Sequence, residues 1–197
     1  MHCSGAILAG GKSTRMKFNK AFAVIADKSV YQIIVEKFQQ SFEDILTISN
    51  EPNLYRQMGT RVCEDVYPGL GPVAGIHSAL YHACFDAVFV MGCDMPFMNM
   101  ELVAYMLAQL GDYDGVVPQI DGKLQPLSAI YSKKCLPVLT DCLQNDRLKL
   151  IRVFEELNAK TIAEQELCQF GNIREIFMNV NDRDQLSLAR NIAGRYL

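Results

Sequence analysis

Lys12, Ser13, Arg15, Lys17 and Lys20 crowd into one stretch behind two adjacent glycines, Gly10 and Gly11. No Asp or Glu occurs before Asp27, so the stretch is locally positive in a chain of formal net charge -3. Glycines let a backbone approach a ligand closely, and successive N–H groups make a nest for an anion. The chemistry this suits is phosphate binding. A Gly-rich turn with solvated lysines is the ordinary alternative, but the whole string at the end of an apolar run favours phosphate. The second candidate is Asp94, which follows the apolar run 87–91 and precedes Met95 and Pro96. A carboxylate at the end of a central strand suits a divalent cation. Capping the next helix is its alternative role.

Gly11, Lys12 and Ser13 match the end of a P-loop, but the position of its first glycine holds Ala6, inside the apolar run. That loop would be too short to wrap a triphosphate, and Arg15 and Lys20 would be left without a role.

The elements that must position these groups follow from periodicity. The apolar run before Gly10 reads as a buried strand, and 21–25 reads as extended. Residues 30–38 have helical spacing with Ile33, Ile34 and Phe38 inward. Strands are predicted at 44–49 and 61–63, with a short helical piece at 54–58 between them. Pro68, Gly69, Gly71 and Pro72 exclude a regular element up to Pro72, and a helix follows at 74–84. His77 and His82 on it do not share a face and are read as surface or packing residues. The run 87–91 is a central strand. Asn99 opens a helix at 101–110. Strands follow at 114–118 and 127–131, helices at 136–143 and 148–157, a last strand at 176–181, and a closing amphipathic helix at 183–193. This alternation predicts an α/β fold: a three-layer α/β/α sandwich with a mostly parallel, Rossmann-like central sheet, formed by one domain over 1–197.

The negative net charge argues against a dedicated nucleic-acid binder. No apolar run is long enough for a bilayer, and the first residues leave no room for a leader, so a cytoplasmic protein is expected. The cysteines number seven, without a Cys-x-x-Cys pair, which argues against a disulfide framework or a thiolate zinc site. Cys93, beside Asp94, is read as core filling rather than as a nucleophile.

Leu8, Gly10, Gly11, Ser13, Arg15, Met16 and Lys20 resemble the L-A-G-G-x-S-x-R-M-G-x-x-K signature of nucleotidyltransferases related to the molybdenum cofactor guanylyltransferases. Lys17 departs from it, since the family has glycine there. The resemblance continues in family order through Glu64-Asp65, residues 71–76, Cys93-Asp94-Met95-Pro96, then Gln125-Pro126-Leu127 with Ala129 and Tyr131, and finally Asn179-Val180-Asn181. It implies transfer of GMP from GTP to molybdenum-bound molybdopterin, with release of pyrophosphate and with Mg²⁺ as cofactor. It further implies that Leu8, Ala9 and Gly10 border the nucleotide. Gly11, Arg15 and Lys20 would hold phosphates, and Asn50 and Asp65 would lie around guanine and ribose. Asp94 would bind Mg²⁺, with Asn179 and Asn181 near the acceptor or the metal. Arg15, Lys20 and Asp94 form the expected catalytic set. Lys149 and Arg152 are read as a solvated helix face rather than an acceptor site. A monomer is expected, with a cofactor-delivery protein or a molybdoenzyme as implied partners. Two alternatives stay open: a cytidylyltransferase or another guanylyltransferase of a phosphorylated small molecule, and a non-catalytic GTP-binding module. Cytidylyl members resemble L-A-A-G, so residues 9–11 favour the guanylyl reading.

Overall fold

Successive residues of a strand face opposite sides of its sheet, and here both sides are apolar. The computed structural model describes residues 1–10 and 20–197. In chain order the elements are β1 (Ser4–Leu8), β2 (Val24–Ile25), β3 (Lys28–Ser29), α1 (Val30–Gln39), β4 (Asp44–Ile48), β5 (Arg61–Cys63), α2 (Gly71–His82) and β6 (Ala87–Gly92). Then come α3 (Met100–Ala108), β7 (Gly115–Ile120), β8 (Lys123–Leu124), β9 (Ser128–Ser132), α4 (Leu136–Gln144), α5 (Leu150–Glu155), β10 (Ala159–Ile162), α6 (Glu164–Leu167), α7 (Ile173–Ile176) and α8 (Arg183–Ile192). Ile7, Phe89, Met91 and Ile130 point into one core with residues of α1, α3 and α8. Their neighbours Ala6, Val88, Val90, Ala129 and Tyr131 point into a second core with residues of α2, α4 and α5. The sheet is therefore the middle layer of three, as the alternation predicted.

Strand order is β10-β7-β9-β6-β1-β4-β5, with β8 paired to β7. β1 runs parallel to β4 and β6, β4 to β5, and β7 to β10. β9 runs antiparallel to both β6 and β7. β7 and β8 join through Asp121 and Gly122, whose φ values of 48° and 72° suit the two-residue hairpin turn that Asp-Gly favours. Caps fix the helix starts. Ser29 and Gln32 form a capping box on α1, and the Asn99 side chain accepts from the Glu101 and Leu102 N–H groups at the start of α3. Among the described residues no helix is long and apolar enough to cross a membrane.

Three expectations need correction. The helix expected from residue 74 begins at Gly71, because Pro72 falls in its first turn, where a missing N–H is not needed. Residues 176–181 do not form a strand. Ile176 closes α7, the Met178 N–H donates to Glu175 O (3.1 Å), and the Val180 N–H donates to Asp94 O (2.8 Å), so no donors remain in step for a ladder. The segment expected to be extended at 21–25 instead opens with a 3₁₀ turn at Lys20–Phe22 and enters the β2–β3 hairpin. The edge strand β10 was not anticipated.

Candidate active site

Four adjacent parallel strands, β6, β1, β4 and β5, deliver their carboxyl ends to one edge of the sheet, where open α/β sheets bind ligands. The ladder continues just past the strands. The Ala9 N–H donates to Ile48 O (2.9 Å), the Ser49 N–H to Cys63 O (3.0 Å), and the Cys93 N–H to Leu8 O (3.1 Å). These bonds hold the segments carrying Leu8, Ala9 and Gly10, Asn50, Asp65 and Asp94 side by side. The Ser49 hydroxyl, buried, adds a bond to Ala9 O (3.3 Å). Leu8 packs over Gly75 of α2, where an added Cβ would lie 3.2 Å from Leu8 Cδ1.

Asp94 has a carboxylate only 10% exposed. Its Oδ1 folds back over Gly92, where a Cβ would sit 2.7 Å away, so a side chain at residue 92 would displace the carboxylate. Its Oδ2 accepts from Lys20 Nζ at 2.5 Å. Lys20 Nζ also donates to Asn181 Oδ1 at 2.8 Å. Two oxygens from the sheet edge and the C-terminal segment thus converge on one cation. That segment is pinned twice: by the Val180 bond to Asp94 O, and by the Asn181 N–H donating to Gln185 Oε1 (2.7 Å) on α8. Gln185 was not singled out in the sequence. Its signal is the Asp182-x-x-Gln185 spacing, in which Asp182 caps α8 and Gln185 stands one turn in.

Asn50 and Asp65 come together on the far side of β1. The Asn50 amide donates to Asp65 Oδ2 at 2.8 Å. The other oxygen, Asp65 Oδ1, is buried without a hydrogen-bond partner. An unpaired buried acceptor is costly. Gly11 and Arg15, together with Lys12, Ser13 and Lys17, lie outside the described residues.

Other groups separate from the site. Cys93 is buried, and its burial, with Asp94 beside it, pushes its thiol up to about 12, so it fills the core rather than attacking. His77 is buried, with Nε2 3.2 Å from Thr140 Oγ1 and with Tyr67 and Tyr81 against its ring, a packing role. Arg152 pairs with Glu155 on an exposed face of α5. Asn179 donates its side-chain amide to Phe177 O at 3.4 Å. Among the described residues no three His, Cys, Asp or Glu cluster as a metal cage.

The sequence model of the MobA-like NTP transferase domain matches residues 5–161. A probable molybdenum cofactor guanylyltransferase of Clostridium perfringens (strain ATCC 13124) is 40% identical over 185 residues, covering 92% of this chain and 93% of that protein. Another of the same description, from Pelotomaculum thermopropionicum, is 33% identical over 98% of this chain and 94% of its own. Among solved structures, the molybdopterin-guanine dinucleotide biosynthesis protein A of Archaeoglobus fulgidus superposes with a TM-score of 0.86 at 24% identity, covering 98% of this chain and 99% of that one.

Proposed function

The chain belongs to the MobA-like NTP transferase family, and on that premise we propose that the carboxyl edge of β6, β1, β4 and β5 is its nucleotide site. The enzyme is a nucleotidyltransferase that transfers GMP from GTP to molybdenum-bound molybdopterin. The acceptor's phosphate oxygen attacks the α-phosphorus of GTP. The bond from that phosphorus to the α–β bridging oxygen breaks, and pyrophosphate leaves. The observation that carries the reading is the convergence of Lys20, Asp94 and Asn181 beside the Asn50–Asp65 pair at one strand edge.

Each residue has a distinct task. Leu8, Ala9 and Gly10 border the nucleotide with main-chain groups. Asp65 Oδ1 accepts from a donor of the base or ribose, while Asn50 holds the carboxylate in place. Lys20 places a mobile ammonium near the triphosphate, where charge-assisted bonds are strong. Gly11 and Arg15 hold phosphates by resemblance. In-line attack needs the two phosphates aligned, which is a matter of positioning more than of proton transfer.

Nucleotidyltransferases generally use a divalent metal, and the residues present suit Mg²⁺. That ion takes one or two carboxylate or amide oxygens together with phosphate and water. Asp94 Oδ2 and Asn181 Oδ1 already gather around one cationic nitrogen, so the donor set fits. Asp94 would hold the ion, with Asn181 beside it. When bound, it neutralises charge developing on the triphosphate. The proposed setting is the cytoplasm, with a monomer that yields its product to a cofactor-delivery protein or a molybdoenzyme.

The test is a nucleotide panel with molybdenum-bound molybdopterin, read by pyrophosphate release and product mass. GTP should give the guanine dinucleotide and one pyrophosphate per product. Preference for CTP would make the chain a cytidylyltransferase. Binding of GTP with no pyrophosphate would make it a non-catalytic module.

A further inference from the structure

Lys20 spans two oxygens that also suit a metal ion. Its ammonium stands 2.5 Å from Asp94 Oδ2 and 2.8 Å from Asn181 Oδ1. The Asp94 carboxylate is nearly enclosed, at 10% exposure, whereas the Lys20 side chain is 28% exposed and reaches the site on a flexible four-carbon stem. A divalent cation on Asp94 Oδ2 would meet that ammonium at close range, and like charges at such a distance repel strongly in a partly desolvated site. One of the two must leave.

We infer that Lys20 is an internal stand-in for the metal, and that nucleotide entry exchanges them: the ammonium passes from Asp94 and Asn181 to the triphosphate, and the metal takes the vacated oxygens. The exchange keeps each charge paired throughout. Asp94 and Asn181 lose one cation as they gain another, and Lys20 leaves two oxygen acceptors for phosphate oxygens. The chain without nucleotide should therefore bind free divalent metal weakly, since the ammonium must be expelled with no phosphate to receive it. This inference rests on the reading of Asp94 as the metal-holding residue.

The experiment uses Mn²⁺ as the probe, titrated into the nucleotide-free full chain and followed by electron paramagnetic resonance. Wild type is compared with Lys20→Met, Lys20→Arg and Asp94→Asn, with a melting curve for each. Lys20→Gln serves if Lys20→Met does not fold. Lys20→Met should bind Mn²⁺ about tenfold more tightly than wild type, the effect of removing one adjacent like charge. Lys20→Arg should stay near wild type, because the competing charge remains. Asp94→Asn should lose the site. Unchanged or weaker binding by Lys20→Met, with the site lost in Asp94→Asn, would overturn the exchange and leave Asp94 as the metal residue. Wild-type Mn²⁺ binding by Asp94→Asn would overturn that assignment and the exchange with it.

Discussion

The backbone N–H of Val180 donates to the backbone carbonyl of Asp94 at 2.8 Å, so the segment before α8 is fastened to the end of β6. The next residue, Asn181, turns its side chain to Lys20 and its N–H to Gln185 Oε1. Gln185 accepts from the Asn181 N–H, and under the proposed function it is a positioning residue. Gln185→Leu should lower stability by only about 1 kcal/mol, the net value of one hydrogen bond. It should lower kcat by about tenfold, with a smaller change in the KM for GTP, because Asn181 loses its aim. Gln185→Glu keeps an acceptor and should restore kcat. Steady-state kinetics with a melting curve for each variant checks this, and full activity in Gln185→Leu would remove Gln185 from the site.

Asp65 offers a second test. One of its oxygens is bound by Asn50 and the other is buried and unpaired. Asp65→Asn removes the charge without changing the shape. The KM for GTP should rise about tenfold or more, since a charge-assisted bond to a ligand donor is lost. The melting temperature should hold or rise, because no internal bond to Asp65 Oδ1 is broken. Loss of stability with unchanged KM would make Asp65 a structural residue.

At the opposite end of the sheet, Asp44 accepts from the Ser4 hydroxyl (2.6 Å), the Cys84 N–H (2.9 Å) and Arg61 (2.9 Å). Burial alone would raise its pKa, but those three donors outweigh it and the net shift is downward. A carboxyl whose folded pKa is depressed contributes stability that is present above the unfolded value of about 3.9 and is lost as pH falls through the folded value. Asp44→Asn should cost about 1–3 kcal/mol at pH 7. The difference from wild type should shrink as pH falls below about 3.9. Urea unfolding across that range measures it.

Lys37 points the other way. It is half-buried on α1, its Nζ donates to Met98 O (3.3 Å), and burial lowers its pKa from 10.5 to about 8. Between those two values the unfolded chain binds more protons, so stability rises with pH across that window. Lys37→Met should raise the melting temperature at pH 7, and the gain should fade as pH climbs from 8 to 10.5. A lower melting temperature at pH 7 would show that the bond to Met98 outweighs the desolvation.

Much of this architecture could be read from the chain because its signals are local. The β6 run announces burial on both faces, and Asn99 announces the start of α3 by capping it. β10 escaped notice because Lys160 and Thr161 interrupt its apolar character and its partner β7 lies more than forty residues earlier. The apolar residues Ile176, Phe177 and Val180 suggested a strand, yet they fill the core from α7 and the segment after it, where no strand edge receives them. The antiparallel direction of β9 has no local signature, since an apolar run reads the same either way. In the site, Lys20 and Asp94 could each be singled out by type and place. Their direct pairing, and the part of Gln185, depend on distant segments meeting.

That distance has a consequence for the chain as it is made. Lys20 and Asn181 stand 161 positions apart. At roughly 5–20 residues per second, a ribosome needs on the order of 8–30 seconds to travel from one codon to the other. By the end of that interval β1, β4, β5, β6 and Asp94 have long been synthesised, whereas Val180, whose bond to Asp94 backs the site, has only just been added. The strand edge is thus synthesised well before the C-terminal segment that completes the Lys20 contacts.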